Sequence, residues 1–424
     1  MPATPRANDG RWRRCWRPTG WCSRGTTSSS PANTWTPTGA SPTTTRCATA
    51  SSTSTRRSAS CSCALARASS AAFRRTRSTT GGRPSPNCMP CSSVLIDRPG
   101  APMAPELVQL RLVTLYLTER CNSRCVSCDY WRHGRQDMAL ATVQQLLPGL
   151  KALGVEQVLL SGGEPLLHPH WVEMATLLRA QGLKLWLLTA GLALAKQLDD
   201  VARHVEQVTV SLDGATAASY ARIRGLDAFE VVCAGVRAAV RAGLPVTLRV
   251  TVQRGNVAEL PALVRLAHGL GVNGISFLAA DVAHDEAFGR QAPAPDGVAL
   301  RPEDLPLLAA SLDAIEQTHA DDLAGGFIAE SPAKLRRIEA HARARLGLGP
   351  LTAPRCNAPA HSAVIEADGR LRPCFFIGGT QRLGAGGLEA ALNAPAERRL
   401  RAAIAAGAQA ACERCVCAKW FAPA

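Results

Sequence analysis

The pattern of apolar and polar positions separates a first stretch without regular apolar runs from a long remainder in which strands and helices alternate. From residue 110 onward, apolar runs of strand length are separated by segments with helical periodicity. The pattern predicts six strands, at residues 110–118, 157–160, 183–189, 207–212, 245–252 and 274–278. It predicts helices between them, at residues 140–153, 170–181, 229–242 and 260–270. Two of these helices end before a glycine, Gly182 or Gly243, which is a typical helix stop.

This order of elements predicts the fold class. Strands that alternate with helices are typical of a parallel α/β fold. Six β/α units are fewer than the eight of a closed barrel, so we predict a partial (β/α)6 TIM-like barrel. In such barrels the binding and catalytic residues lie at the carboxyl ends of the strands. The motifs described below follow the first four strands, which is where this fold would use them.

The positive charge of the chain is concentrated in its first quarter. Residues 1–102 contain 15 Arg, no Lys and 2 Asp, whereas the other 322 residues contain 33 Lys and Arg against 31 Asp and Glu. The first segment also has 33 Ser and Thr and no periodic apolar run, which predicts a disordered basic tail. Met103 directly precedes the first strand, so we expect that the native protein begins there and that the tail is not translated.

Charge and hydropathy also exclude some partners. The remainder of the chain, residues 103–424, is almost neutral, which predicts that it does not bind nucleic acid. Its longest apolar stretch is too short to span a bilayer, so no membrane partner is expected. The first residues lack the apolar segment of a secretory signal. Sixteen cysteines in such a chain predict a cytoplasmic protein with metal or redox chemistry.

Three cysteines follow the first predicted strand with C-x3-C-x2-C spacing: Cys121, Cys125 and Cys128. Three thiolates on one loop suit a soft metal. One possibility is a zinc ion with His133 as its fourth ligand. The other is an iron–sulfur cluster in which one iron has no protein ligand and is open to a cofactor.

The loop resembles the cluster-binding loop of the radical S-adenosylmethionine (radical SAM) superfamily, and further motifs extend the resemblance. Gly162, Gly163 and Glu164 follow the second strand and look like the GGEP motif. There the glycine backbone approaches the methionine amino group of the cofactor, which requires residues without side chains. Thr189 follows the third strand, where relatives often carry Thr-Asn-Gly, and Ser211 begins a Ser-x-Asp-Gly segment. The resemblance implies that these five residues belong to the S-adenosylmethionine site.

Two contacts to that cofactor stay open. Arg222 and Arg224 lie in a segment that resembles the superfamily's Arg-x-Arg-Gly stretch. One of them, with Arg224 as our choice, could pair with the methionine carboxylate through its guanidinium fork, or both could be solvated helix charges. Ser127 stands where many relatives have an aromatic residue before the third cysteine. Tyr130 or Trp131 could stack on the adenine instead, or both could pack in the core.

A second set of cysteines lies near the C-terminus: Cys356, Cys374, Cys412, Cys415 and Cys417. Residues 363–366 and 370–372 flank an Asp-Gly turn, which predicts a small hairpin. Thiolates that meet at such a hairpin indicate a metal-organised subdomain, and this one resembles the SPASM or shorter twitch domains. Five cysteines imply one auxiliary 4Fe-4S cluster that uses either Cys415 or Cys417, with zinc as the alternative. Cys233 stands alone in a predicted helix and is expected to be an inert core residue.

These features predict four segments: the tail at 1–102, the core barrel at 103–285, a helical linker at 286–354 and the auxiliary cluster domain at 355–424. The resemblance implies a radical SAM oxidoreductase or maturase. In such an enzyme a 4Fe-4S cluster cleaves S-adenosylmethionine reductively, and the resulting 5′-deoxyadenosyl radical takes hydrogen from the substrate.

We expect a peptide substrate first and a small molecule second, with oxidation or cross-linking as the outcome. Both expectations rest on the family resemblance. An electron donor such as flavodoxin or ferredoxin would be a partner. The alternative is a non-catalytic zinc or iron–sulfur module that binds or senses a metal.

Overall fold

The described part of the structure begins just before the first predicted strand. The computed structural model describes residues 102–290, 296–417 and 419–421. The predicted basic tail therefore lies outside the described residues, except for its last position. The described residues belong to one compact unit.

Nine strands and fourteen helices make up the described part of the chain. The strands are β1 Leu112–Thr118, β2 Gln157–Gly162, β3 Lys184–Thr189, β4 Gln207–Ser211, β5 Val246–Val252, β6 Gly274–Ala279, β7 Ser362–Ile365, β8 Arg370–Arg372 and β9 Gln381–Arg382. The helices are α1 Tyr130–His133, α2 Leu140–Ala152, α3 Trp171–Ala180, α4 Leu198–His204, α5 Ala217–Arg224, α6 Phe229–Arg241, α7 Leu260–Leu270, α8 Leu305–Thr318, α9 Ala320–Ala324, α10 Pro332–Arg345, α11 Ala358–His361, α12 Gly387–Leu392, α13 Pro395–Ala405 and α14 Ala410–Glu413.

The first six strands form a parallel sheet, which confirms the predicted α/β fold class. The strand order in the whole sheet is β6-β5-β4-β3-β2-β1-β7-β8-β9. Each pair of neighbours from β1 to β6 is parallel. The bounds of these six strands differ from the predicted bounds by two residues at most. The carboxyl ends of β1 to β4, and the motifs that follow them, therefore lie along one edge of the sheet.

The predicted C-terminal hairpin is present, and it continues the same sheet. β7 and β8 pair antiparallel across a turn in which Gly369 has a φ of +81°. β7 also pairs parallel with β1, with Leu112 opposite Ser362 and Leu115 opposite Ile365. The segment that carries the second cysteine set is thus bonded to the strand that leads into the first set.

The two faces of the sheet differ in polarity. On β5, Val246 and Leu248 are buried in the main apolar core, whereas Thr247 and Arg249 line a cavity inside the curve of the sheet. Strands of a parallel sheet buried on both faces usually read as continuous apolar runs. The alternation in β5 therefore marks an inner face that surrounds a cavity rather than a packed core. Other strands add polar residues to this face: Thr114, Gln207, Thr209 and Ser276.

The predicted linker helices are also present. The two longer helices in residues 286–354, which were predicted as a helical linker, are α8 and α10. The Ser331 side chain accepts a hydrogen bond from the amide of Lys334, as an N-cap does. The apolar pattern did not predict the shorter helices α4, α5, α12 and α13. Among the described residues, none of the helices combines the length and the apolar composition that crossing a bilayer requires.

Candidate functional site

The three-cysteine loop leaves β1 against the turn that follows β2. The amide of Gly163 donates to the carbonyl of Thr118 over 2.7 Å, and the amide of Glu164 donates to the carbonyl of Arg120 over 2.8 Å. A Cβ atom on Gly163 would lie 2.3 Å from the Arg120 carbonyl oxygen. Only glycine permits this approach of two backbones. This close contact fixes the backbone of Arg120, the residue immediately before Cys121.

The middle of the same loop lies against the C-terminal end of α5. The amides of Arg124 and Val126 donate to the carbonyls of Arg224 and Ile223 over 2.9 and 3.0 Å. Gly225 ends α5 with a φ of +71°, and a Cβ atom there would lie 2.3 Å from the Arg124 carbonyl oxygen. The Arg-Gly pair that the sequence singled out therefore positions the loop through its backbone.

Of the three thiols of this loop, Cys125 is buried, and Cys121 and Cys128 are half-buried. Burial and the neighbouring cysteines raise the pKa of Cys121 and of Cys128 to about 12. Burial also raises the pKa of Cys125. Because a metal binds the thiolate, such thiols would release their protons when a cationic cluster binds. The donor set therefore fits an iron–sulfur cluster.

The spacing of the sulfur atoms bears on the choice between zinc and iron. Within the described ranges, no three cysteine sulfurs all lie within 4.8 Å of one another. Thiolates bound about 2.3 Å from one tetrahedral zinc would lie about 3.8 Å apart. The cysteines of a four-iron cluster bind separate irons, so they do not have to lie as close together as the ligands of one zinc ion. His133, the fourth ligand in the zinc alternative, is exposed at the end of α1.

Arg224 forms a buried ion pair next to the loop. Its guanidinium donates to Asp213 over 3.0 Å, and the two side chains are 9% and 3% exposed. Burial alone would lower the pKa of Arg224, but Cys125 and Asp213 raise it above the usual range. The Nε atom is buried without a hydrogen-bond partner. Arg224 therefore keeps a positive charge beside Cys125. Ser211, the other residue predicted in this part of the site, is half-buried at the end of β4, two residues before Asp213.

Glu164 and Thr189 are bonded to each other. The Thr189 hydroxyl lies 2.8 and 2.9 Å from the two carboxylate oxygens of Glu164, which also accept from the amides of Ala190 and Leu166. Burial raises the pKa of Glu164, and these hydrogen bonds oppose the rise. The two side chains thus join the ends of β2 and β3. Since the Glu164 side chain is bonded to Thr189 and Ala190, the part of this turn with no side chain to block a cofactor is the backbone of Gly162 and Gly163.

The structure separates the residues that the sequence left as alternatives. Arg222 is exposed and donates to the carbonyl of Gly255 over 3.0 Å, so it lies apart from the buried ion pair. Tyr130 is buried, as its core-packing alternative predicts. Trp131 is partly exposed, and its indole nitrogen donates to the carbonyl of Cys125 over 3.2 Å. Of the two aromatic residues, Trp131 is the more exposed, and the guanidinium of Arg132 lies 4.2 Å from the centre of its ring.

A segment after β6, residues 281–290, holds the last cysteine of the loop, and no sequence motif indicated it. The carbonyl of Phe288 accepts from the Asp129 amide over 3.0 Å and from the Cys128 thiol over 3.4 Å. Phe288 has a φ of +59°, which is rare and strained for a bulky residue. Arg290 donates to the carbonyl of Ser127 over 3.3 Å. The only signal that could have indicated the segment is its mixture of charged and aromatic residues directly after a strand.

A buried carboxylate organises this segment. Asp281 contacts the Nδ1 atom of His284 over 2.6 Å and accepts from Arg290 over 2.8 Å. The Nε2 atom of His284 lies 2.8 Å from the carbonyl oxygen of Ala411, one residue before Cys412. Residues 281–290 thus contact both cysteine sets. Burial would raise the pKa of Asp281, but the bonds to His284 and Arg290 outweigh it and hold the pKa below its usual range.

We expect Asp281→Asn to reduce the free energy of unfolding at pH 7 by about 1.5–3 kcal/mol, because charged hydrogen bonds to Arg290 and His284 are lost. A carboxylate with a lowered pKa stabilises the fold above its unfolded pKa, about 3.9, and stops doing so as the pH falls through its folded pKa. The difference between the two proteins should therefore be constant near neutral pH and shrink below about pH 4. Urea unfolding at several pH values measures it; an unchanged difference at low pH would contradict the assignment.

The five C-terminal cysteines are brought to one place from three parts of the chain. Burial raises the pKa of Cys374, and it raises the pKa of Cys412 to about 11, with Cys356 adding to both. The amide of Cys417 lies 3.4 Å from the sulfur of Cys415. Asn357 joins the two outer segments, because its side chain bonds the backbone of Phe421 in both directions over 2.8 Å.

A small aromatic cluster separates the two cysteine sets. Tyr116 and Tyr130 meet edge to face with ring centroids 6.1 Å apart, and Val364 completes the buried part of the cluster. Cys128 of the first set and Phe375, next to Cys374, pack against it. Burial is the largest cause of the raised pKa values of both tyrosines. The two sites are therefore connected through packed side chains rather than through solvent.

A cavity of about 740 Å³ lies between the inner face of the sheet and the C-terminal cysteines. All five of these cysteines line it, together with inward-facing strand residues and the helix α10. Five cationic side chains face it, and Glu330 is the one carboxylate among the described lining residues. These cations are Arg249, Lys334, Arg337, Arg355 and Lys419. The cavity therefore suits an anionic ligand of a size typical for binding sites.

The chain resembles known proteins over its strand–helix region. Residues 115–267 match the family model of the Radical SAM superfamily. A PqqA peptide cyclase of Methylobacterium sp. (strain 4-46) is 37% identical over 180 residues, which are 41% of this chain and 46% of that protein. A GTP 3′,8-cyclase of Erythrobacter litoralis (strain HTCC2594) is 29% identical over 290 residues, 65% of this chain and 81% of that protein. The chain thus spans less than half the length of the peptide cyclase.

Solved structures share the fold. Streptococcus suis SuiB bound to the precursor peptide SuiA has a TM-score of 0.51 and 15% identity, over 69% of this chain and 67% of that chain. Native anSMEcpe with bound AdoMet and the Cp18Cys peptide has a TM-score of 0.51 and 17% identity, over 68% and 81%. At these identities the likeness concerns the fold alone. Members of the matched superfamily use a 4Fe-4S cluster and S-adenosylmethionine. Residues 115–267 of this chain are similar to that radical SAM superfamily, and the six-stranded parallel fold and the three-cysteine loop agree with the match.

Proposed function

We propose that the protein is a radical SAM enzyme that modifies a peptide, by oxidation or cross-linking. One observation carries the proposal: the loop with Cys121, Cys125 and Cys128 is held between the Gly162–Gly163 turn and the end of α5. When bound, a 4Fe-4S cluster and S-adenosylmethionine would supply reductive cleavage of a carbon–sulfur bond and removal of hydrogen from an unactivated C–H bond.

The chain's own residues would hold and orient these groups. The backbone of Gly162 and Gly163 would face the methionine part of the cofactor, because it carries no side chain that blocks approach. Arg224 would place positive charge beside Cys125, where a cluster bound by thiolates carries negative charge. Trp131 would offer a partly exposed ring for adenine. Glu164 and Thr189 would act through the backbone that they hold in place.

The C-terminal cysteines would hold one auxiliary cluster at the cavity wall. Four of the five would be ligands, with Cys415 and Cys417 as alternatives for the fourth position. A cluster with four thiolate ligands carries a charge of about −2, which does not balance the five lining cations and one carboxylate. The remaining positive charge favours a substrate with carboxylate groups, such as an acidic peptide segment. Clusters of this kind need reduced thiols, which favours the cytoplasm and an electron donor such as flavodoxin or ferredoxin.

A second candidate is an anionic small molecule. The match to the GTP 3′,8-cyclase is longer than the match to the peptide cyclase, 290 against 180 residues. The positive lining of the cavity would suit phosphates as well as carboxylates. Both candidates share the cluster and the cofactor and differ only in what occupies the cavity.

The experiment that tests the proposal is anaerobic iron and sulfide analysis after reconstitution. The wild-type protein should contain about eight irons, and the triple variant Cys121/Cys125/Cys128→Ala about four. Cys233→Ala is the matched control, because Cys233 is buried in α6 and should leave the iron content unchanged. The wild type should release 5′-deoxyadenosine from S-adenosylmethionine under reducing conditions, and the triple variant should not.

Other outcomes would decide against parts of the proposal. A colourless protein with zinc and no iron would favour the non-catalytic module. About four irons that fall to none in the triple variant would leave the radical enzyme but remove the auxiliary cluster. The rate of 5′-deoxyadenosine release can be compared with added nucleotides and with added acidic peptides. If nucleotides increase the rate and acidic peptides do not, the small-molecule candidate is favoured.

A further inference from the structure

A third group of metal-binding side chains lies on the outer helices, away from both cysteine sets. His268 is in the last turn of α7, His319 lies between α8 and α9, and Asp322 is in α9. The Nε2 atom of His268 is 3.0 Å from each carboxylate oxygen of Asp322, and the Nδ1 atom of His319 is 2.8 Å from one of them. The three ligand atoms all lie within 4.8 Å of one another. Among the described residues this is the one group of His, Cys, Asp and Glu side chains that meets that limit.

The three side chains are held in place by the elements around them. The ring of His268 stacks on Phe327 with centroids 4.0 Å apart and planes 9° from parallel, which sets the direction of its nitrogen atoms. The carbonyl of Asp322 accepts from the amide of Ile328 over 3.1 Å, which holds α9 against the following segment. His268 and Asp322 come from parts of the chain 54 residues apart. The group is therefore arranged before any ion binds, as a binding site requires.

We propose that His268, His319 and Asp322 bind a divalent transition metal of the zinc, cobalt or nickel class. Two imidazole nitrogens and one carboxylate oxygen are the ligands these ions prefer, whereas magnesium and calcium prefer oxygen ligands alone. Bonds of about 2.0–2.1 Å to a tetrahedral ion separate its ligand atoms by about 3.3 Å. Each histidine nitrogen lies 2.8–3.0 Å from the carboxylate, and the two histidine nitrogens lie within 4.8 Å of each other, so small side-chain shifts would bring all three to the separation an ion requires. The side chain of His268 is 49% exposed, so water can fill the remaining position.

Such an ion would hold the edge of the sheet. Residues 327–330 lie along β6: Ile275 donates to the carbonyl of Phe327 over 2.8 Å and accepts from Ala329 over 2.9 Å. Glu330, at the end of that segment, accepts from Ser276 and Phe277 and lines the cavity. A metal that joins α7 to α9 would therefore fix the segment that covers the last strand of the barrel.

Cobalt titration of the cluster-reconstituted protein tests this site. Bound cobalt is measured by equilibrium dialysis and elemental analysis, because the clusters absorb visible light far more strongly than bound cobalt does. The wild type should bind one Co²⁺ more per chain than His268→Gln does, because the cysteines that hold no cluster are the same in both proteins. Zn²⁺ should displace the cobalt and raise Tm by about 2–4 °C, since a ligand that binds only the folded state stabilises it. His268→Gln should reduce cobalt affinity at least tenfold and remove the rise in Tm.

The control is His170→Gln, because His170, directly before α3, is an exposed histidine that also pairs with a carboxylate, Glu173 in the first turn of α3. It should keep the affinity and the rise in Tm. Asp322→Asn is a second variant that should lose the metal if His268→Gln fails to fold. Equal cobalt binding by the wild type and His268→Gln, or by the wild type and Asp322→Asn, would overturn the proposal and leave the three residues as a hydrogen-bonded clamp. Iron content, measured on the same samples, keeps this result separate from the proposed radical chemistry.

Discussion

Gly163→Ala should remove the iron bound by the three-cysteine loop and leave the iron of the C-terminal set in place. The added Cβ atom would lie 2.3 Å from the carbonyl oxygen of Arg120 and 2.6 Å from that of Glu119. Both are backbone atoms, so the contact is relieved only if the start of the loop moves. Cys121 directly follows Arg120, so a shift of the Arg120 backbone would displace the first cysteine ligand. We therefore expect the iron content to fall from about eight to about four per chain. Anaerobic iron and sulfide analysis measures the change.

Gly269→Ala is the matched control for this substitution. Gly269 lies in α7, and a Cβ atom there would have open space around it. Alanine is the better helix former, so this variant should keep its iron and gain up to about 1 kcal/mol of stability. Full iron content in Gly163→Ala would show that the loop can shift without losing its metal. It would then contradict the role we assign to the close backbone approach.

Arg224→Gln should reduce the free energy of unfolding by about 3–5 kcal/mol, which is typical when one partner of a buried ion pair is removed. Asp213 is 3% exposed, and its charge would lose the only cation that bonds it among the described residues. The variant should also bind less iron at the first loop, because a positive charge beside Cys125 is lost. Urea unfolding together with iron analysis measures both effects.

Arg222→Gln provides the comparison, since it removes the same charge from the same helix two residues away. Arg222 is exposed and has one hydrogen bond, to the carbonyl of Gly255. Its replacement should change stability by roughly 0.5 kcal/mol or less. If the two variants unfold at the same urea concentration, the buried pair with Asp213 is not what stabilises this end of α5.

The core of the fold could be predicted because its signals are local. Each strand of the parallel sheet is a short apolar run, and the helix α7 was predicted with its observed bounds. The positions of the motifs followed from the same pattern, since each follows a strand and the strands are parallel. The helices α4 and α5 escaped prediction because they are short. In α5 the apolar residues are also few, and a capping box between Thr216 and Ser219 defines its start.

The roles of individual side chains were harder to predict, because they depend on contacts between distant parts of the chain. Glu164 and Thr189 were expected to belong to the cofactor site, and the sequence did not indicate that they bond each other across 25 residues. Asp281 and Phe288 belong to no motif, and their importance follows from what they contact. The inner-face polarity of β5 was visible in the sequence as alternation between Val246 and Val252. This alternation indicates a cavity only once the structure shows that Thr247 and Arg249 lie on the inner face of the sheet.

The pairing of β7 with β1 has a consequence for how the chain folds. β1 leaves the ribosome long before β7, and its outer edge is completed by Ser362 to Ile365, about 250 residues later. Until then β1 exposes an unpaired apolar strand edge, which is prone to pair with another chain. Contacts so distant in sequence also slow folding. Synthesis therefore leaves a long interval in which the nascent protein needs protection from aggregation, and a chain truncated before β7 would keep that vulnerable edge permanently.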